Sequence, residues 1–164
     1  MSAIDELLRN NEEYAREFDR PGLPTLPSRR LAVVACMDAR LDVYRILGLV
    51  PGEAHVIRNA GGVVTEDVLR SLLLSQRLLG TREIALVQHT GCGLLMLRED
   101  EVKAEIEAET GRRPAFAFEA FDDLAASVRR SIGRLRSDPF LPHTGRVRGF
   151  IYDVETGRLE EVTA

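Results

Sequence analysis

The sequence lacks the features that would mark a secreted, membrane-spanning or nucleic-acid-binding protein. Only two cysteines occur, Cys36 and Cys92. That is too few for a disulfide-stapled scaffold, and a reducing compartment would keep both as thiols. No apolar run approaches the roughly 20 residues needed to span a bilayer. The first residues include Asp5, Glu6, Glu12 and Glu13, where a signal peptide would be basic and then apolar. A cytoplasmic location is therefore expected. The formal net charge is −4, and Arg129, Arg130, Arg134 and Arg136 read as a solvated helix face rather than a basic stripe for phosphate backbones. Neither nucleic acid nor a membrane is an expected partner. There is no internal repeat and no polar linker. What remains is 164 residues with 45% hydrophobic and 29% charged side chains, the composition of one globular domain over residues 1–164.

Hydrophobic periodicity predicts the elements. Ile4, Leu7, Leu8 and Tyr14 recur at helical spacing within residues 2–18, an amphipathic helix expected to lie on a neighbouring subunit. Residues 31–36 are continuously apolar and rich in valine, as befits a strand buried on both faces of a parallel sheet. Residues 53–58 read as a second strand, and 83–89 as a third. Between them Thr65 caps a helix whose first turn carries Glu66 and Asp67 and which stops at Gly80. Residues 98–109 and 117–136 read as helices, and 147–153 with 158–162 as a closing hairpin around Thr156-Gly157. Strands alternating with helices give an α/β fold: a mostly parallel sheet of order 2-1-3-4, plus an antiparallel C-terminal edge strand, flanked by helices. Such sheets bind ligands at strand carboxyl ends where the winding reverses.

Two of those carboxyl ends hold metal-binding side chains. Cys36 closes the first strand, and His89 closes the third and leads into Thr90-Gly91-Cys92. Cys36 alone reads more readily as a small buried hydrophobe than as a ligand, and His-x-x-Cys alone is ambiguous. Together they offer two thiolates and one imidazole, the ligand set of a tetrahedral zinc site with one position open, as in catalytic rather than structural zinc. A redox pair is the rival use of two cysteines, but such pairs come as Cys-x-x-Cys. Asp38 and Arg40 follow Cys36 at alternate positions, so an extended chain aims them alike. An arginine held bidentate to the aspartate would keep it ionised and oriented as a hydrogen-bond acceptor.

These residues resemble the β-class carbonic anhydrases, whose pattern is Cys-x-Asp-x-Arg after the first strand and His-x-x-Cys-Gly after the third. Cys36, Asp38, Arg40, His89, Cys92 and Gly93 match it, and Arg58-Asn59-Ala60-Gly61 is similar to the family's loop facing the metal. The similarity spans roughly residues 30–95. Ala39 departs from the serine of many members, and the chain resembles the compact branch. The resemblance implies one Zn2+ per chain on Cys36, His89 and Cys92, and reversible hydration of carbon dioxide to bicarbonate and a proton. It assigns Asp38, oriented by Arg40, to accept a hydrogen bond from the nucleophile. It places the N–H of Gly93 and the Ala60-Gly61 loop near the product oxygens, glycine being explained by close approach. It also implies a homodimer or tetramer. Compact relatives hydrolyse carbonyl sulfide or carbon disulfide with the same metal set, and a non-catalytic zinc protein would arise if Asp38 permanently filled the fourth position. His55, in a strand, reads as structural; His143, in the loop 139–145, could shuttle protons to bulk water.

Overall fold

The computed structural model describes residues 2–163. Its centre is a five-stranded sheet of order β2-β1-β3-β4-β5, built from β1 (Leu31–Cys36), β2 (Ala54–Asn59), β3 (Glu83–His89), β4 (Val147–Tyr152) and β5 (Leu159–Val162). The first four strands pair in parallel and β5 runs antiparallel to β4. The order is the one the sequence pattern predicts.

The continuous apolar character of β1 follows from its position. Ala32 and Val34 face a core shared with Ile84 and Leu86 of β3, Val68 and Leu72 of α3 (Glu66–Arg77), and Val128, Ile132 and Leu135 of α5 (Leu124–Ser137). Val33 and Ala35 face the opposite core, with Val87, Leu41, Val43, Leu49, Leu94 and Phe121. A strand covered on both faces has no position at which a polar side chain could reach water. Where α5 crosses β4 the helix sits directly on backbone: a Cβ at Gly149 would clash with Val128 and come within 2.9 Å of Ile132 Cδ1. Gly149→Ala is therefore expected to lower stability by about 1–3 kcal/mol through overpacking, read as a lower denaturant midpoint with unchanged slope.

The remaining helices are α1 (Ala3–Arg16), the short α2 (Val43–Leu47) and α4 (Glu99–Thr110). No helix among the described residues is long and apolar enough to cross a membrane. Thr65 caps α3 by accepting from the Val68 N–H, as its position predicts. The last long helix differs from expectation: it starts at Leu124, not 117, with Asp123 accepting from the Ala126 N–H at 2.8 Å. The preceding residues are held extended because Phe121 and the Cys92 loop exchange backbone bonds, Phe121 N to Leu94 O at 3.2 Å and Met96 N to Phe121 O at 2.9 Å. Tertiary pairing overrides a periodicity that, read locally, extends the helix.

From β1 the chain winds outward to β2 on one side, and from β3 to β4 on the other. The winding thus reverses between β1 and β3, and the crevice at their carboxyl ends is where a ligand site belongs. Cys36 and His89 are the last residues of those two strands.

Candidate metal centre

One Cys36 sulfur, one His89 ring nitrogen and the Cys92 sulfur all lie within 4.8 Å of one another, and all three residues are buried. His89 Nδ1 lies 2.9 Å from the Thr90 carbonyl oxygen, and an imidazole nitrogen can bond a carbonyl only by donating its proton. In the neutral imidazole, Nε2 therefore carries the lone pair. That atom is buried without a hydrogen-bond partner, an arrangement that costs on the order of 1–3 kcal/mol unless something accepts the lone pair. A cation held by the three residues does so.

The two sulfurs are unequal. Burial raises the Cys36 thiol, but the His89 imidazole and the backbone N–H groups of Asp38 and Gly61 outweigh it and bring its pKa down to about 7. Cys92 is pushed up by burial and by the neighbouring Cys36, against the pull of the Leu94 N–H. His89 is raised: burial works against its charged form, but Cys36 and the Thr90 carbonyl prevail. One negative charge is thus stabilised in the pocket and a second is resisted, a conflict that a divalent cation removes, since a coordinating thiol is deprotonated outright. Two soft sulfurs with one imidazole nitrogen fit zinc, and three protein ligands leave a fourth position for reacting species.

Asp38 and Arg40 lie on the loop after β1. Arg40 grips the carboxylate with two side-chain bonds, Nε to Oδ1 at 2.9 Å and Nη2 to Oδ2 at 2.7 Å, and adds its own backbone N–H to Oδ1 at 2.9 Å. These bonds, led by the guanidinium, hold Asp38 well below the usual carboxylate range. Arg40 Nη2 also reaches the Gly91 carbonyl at 3.0 Å, so one side chain ties the Cys36 loop to the Cys92 loop. Asp38 Oδ2 stands 3.7 Å from His89 Nε2, yet Asp38 is not among the three converging ligands. Arg58 braces the same loop from β2, donating to the carbonyls of Cys36 at 2.9 Å and Asp38 at 2.8 Å.

The loop Ala60–Gly62 lies across the ends of β1 and β3. Asn59 staples it shut, its side chain bonding both the carbonyl and the N–H of Val63 at 2.9 and 3.1 Å. Within the protein itself the tight approach is made by a different glycine from Gly93. Gly93 is exposed, and a Cβ there would meet nothing within 4 Å. Gly62 is the residue that must be glycine: its φ is +61°, and a Cβ would sit 2.8 Å from Cys36 N. Gly61 also has positive φ, +79°, and its backbone N–H helps to hold the Cys36 thiol down. Gly62→Ala forces both backbone strain and a backbone clash, so a stability loss of roughly 1–3 kcal/mol or more is expected, with weaker metal binding measurable by equilibrium dialysis. Ala60 is exposed on the rim of an apolar cavity of about 560 Å³ lined by Ile57, Leu94, Leu97, Phe116 and Phe118.

The other two histidines lie away from the centre. His55 bonds the buried Ser75 hydroxyl through Nδ1 at 2.7 Å, which fits the structural role expected of it. His143 lines a separate pocket with Arg30 and Arg82, the residues just before β1 and before the start of β3. It lies at the far end of the sheet, about 20 Å away given six residues at about 3.3 Å each, too far to relay a proton directly.

Comparison with known proteins agrees with this geometry. The family model described as carbonic anhydrase matches residues 31–110. The chain is 55% identical over 163 residues to β-carbonic anhydrase 1 of Mycobacterium tuberculosis, covering 99% of each. It is 34% identical to a carbon disulfide hydrolase of Acidianus sp., covering 96% of this chain and 88% of that one. Its fold superposes on the crystal structure of the carbonic anhydrase from Streptococcus mutans with a TM-score of 0.93 at 40% identity, covering 99% of each chain. The chain belongs to the β-carbonic anhydrase family.

Proposed function

We propose that this protein is a zinc lyase that hydrates carbon dioxide reversibly to bicarbonate and a proton. The observation that carries the reading is the convergence of Cys36, His89 and Cys92 beside a carboxylate that is gripped by Arg40 and stands outside the ligand set. These three residues would hold the zinc, whose Lewis acidity lowers the pKa of water from 15.7 to about 7 and so supplies a nucleophile near neutral pH.

This chain's own groups do the rest. A carboxylate held as low as Asp38 stays ionised throughout the neutral range, so it does not store the released proton. It accepts a hydrogen bond from the nucleophile and aims the remaining lone pair at the substrate carbon. Arg40 fixes that direction with three bonds. Ala60, Gly61 and Gly93 border the space the product oxygens enter. The Gly61 N–H also helps to hold the Cys36 thiol down, and Gly93, which is exposed, is open to contact with product.

Identity favours carbon dioxide over sulfur substrates, since 55% over the full chain outweighs 34%. The Asp38–Arg40 pairing counts against a permanently closed, non-catalytic site. The test offers both substrates to zinc-loaded protein. Proton release from carbon dioxide, without comparable sulfide release from carbon disulfide or carbonyl sulfide, is expected; dominant sulfide release would transfer the reading to the hydrolase.

The same reading includes a homodimer or higher oligomer in a reducing, cytoplasmic setting where Cys36 and Cys92 stay as thiols. Helix α1 supports it: no residue of α1 is buried, and Ile4, Leu7, Leu8 and Tyr14 form an exposed apolar stripe. Covering a leucine is worth about 1.5–3 kcal/mol, and a symmetric dimer counts each contact twice. Replacing Leu7 and Leu8 together by glutamate is expected to shift the protein to monomer in analytical ultracentrifugation. An unchanged sedimentation coefficient would remove α1 from the interface.

A further inference from the structure

Gln88 immediately precedes the metal-ligating His89 but points the other way. Its side chain enters the core under α5 and is 1% exposed, a costly place for a primary amide unless the amide does something there. Its Nε2 donates to the Ser127 hydroxyl on α5 at 3.1 Å and reaches the Gly62 carbonyl at 3.5 Å, while Oε1 has no partner. A residue kept only for stability would have both ends of its amide paired or would be apolar.

The Gly62 contact connects Gln88 to the metal centre. Gly62 packs on the backbone of both central strands: a Cβ there would stand 2.8 Å from Cys36 N and 3.0 Å from the Val87 carbonyl oxygen. The Asn59 side chain closes the loop through Val63 and does not touch Gly62. Among the described residues, the Gly62 carbonyl has no other side-chain donor than Gln88.

We propose that Gln88 is a positioning residue, which seats the Ala60–Gly62 turn from beneath and so holds that turn against the backbone of the Cys36 ligand. This rests on the zinc-site reading above. Residues that orient metal ligands typically affect metal affinity by 10- to 100-fold, and Gln88 acts at one remove, through the loop backbone.

The test compares Gln88→Met with Ser127→Ala. The first removes the donor to Gly62 at similar volume; the second leaves that donor in place and loses only the α5 partner, so it reports what loosening this part of the core does by itself. Zinc dissociation constants are measured by competition with a chromophoric chelator. The sulfur-to-metal charge-transfer band is recorded on the cobalt(II) forms. Gln88→Met is expected to weaken zinc roughly tenfold or more and to shift the cobalt band, with Ser127→Ala close to wild type in both. Gln88→Asn, an amide drawn back by one methylene, should move both readouts in the same direction and serves if the methionine variant does not fold. Unchanged zinc affinity and an unchanged band in the folded Gln88 variants would overturn the proposal, as would equal losses in the Ser127 variant. Failure of the wild-type protein to bind zinc at all would instead sink the underlying reading.

Discussion

Replacing His89 by alanine is expected to abolish both zinc binding and carbon dioxide hydration. The side chain is fully buried, its Nδ1 proton is committed to the Thr90 carbonyl, and Nε2 has no protein partner. Asp38, whose Oδ2 stands 3.7 Å from Nε2, is gripped by Arg40 and is not among the converging ligands. Two sulfurs then remain, with Cys92 resisting ionisation beside Cys36, and the site loses the nitrogen that completes it. Metal content after dialysis should fall from about one zinc per chain to background, and hydration should fall to the uncatalysed rate. Thermal unfolding gives an independent check. A ligand that binds only the native state at 100 times its dissociation constant stabilises by about 2.7 kcal/mol. Added zinc should therefore raise the unfolding temperature of wild-type protein and leave that of His89→Ala unmoved. Retained stoichiometric zinc in the variant would remove His89 from the ligand set.

Asp38→Asn should separate catalysis from metal binding. The substitution keeps shape and volume but replaces an acceptor oxygen by an NH2 donor, so it can no longer take the nucleophile's hydrogen bond in the same sense. A loss of roughly 10²- to 10⁴-fold in kcat/KM is expected, with zinc content unchanged because Asp38 is outside the ligand set. Circular dichroism and the retained zinc content separate such a loss from unfolding. The Arg40 side chain is half exposed, and ion pairs of that kind contribute about 0–1 kcal/mol. Because the carboxylate is held far below its ordinary range by Arg40, its protonation should not shape the activity profile near neutral pH. Full activity in zinc-loaded Asp38→Asn would contradict the role given to it.

Much of this was legible in the sequence because the chemistry sits where the chain pattern is strongest. Cys36 and His89 end two apolar, strand-like segments, so the strands also located the ligands, and the reversal rule put them side by side. Asp38 and Arg40 were legible through their alternate spacing. What escaped was set by contacts distant in sequence. The start of α5 depended on Phe121 bonding the Cys92 loop. Helix α2 is only five residues long and has too little periodicity to register. Gly62 must be glycine because β1 and β3 bring Cys36 N and the Val87 carbonyl beneath it, a packing constraint that no local signal in the sequence marks. Gln88 reads in the sequence only as a polar residue in a strand. Its contact with a loop 26 positions away appears only when the sheet, the loop and α5 are assembled.

The most direct test of the zinc-lyase reading is to strip the protein of metal, add zinc back in steps, and follow proton release from carbon dioxide by stopped flow at mildly alkaline pH. Activity should rise linearly and level off at about one zinc per chain, with a variant lacking Cys36, His89 or Cys92 flat throughout. A metal-free protein of undiminished activity, or full zinc occupancy without proton release, would contradict the account.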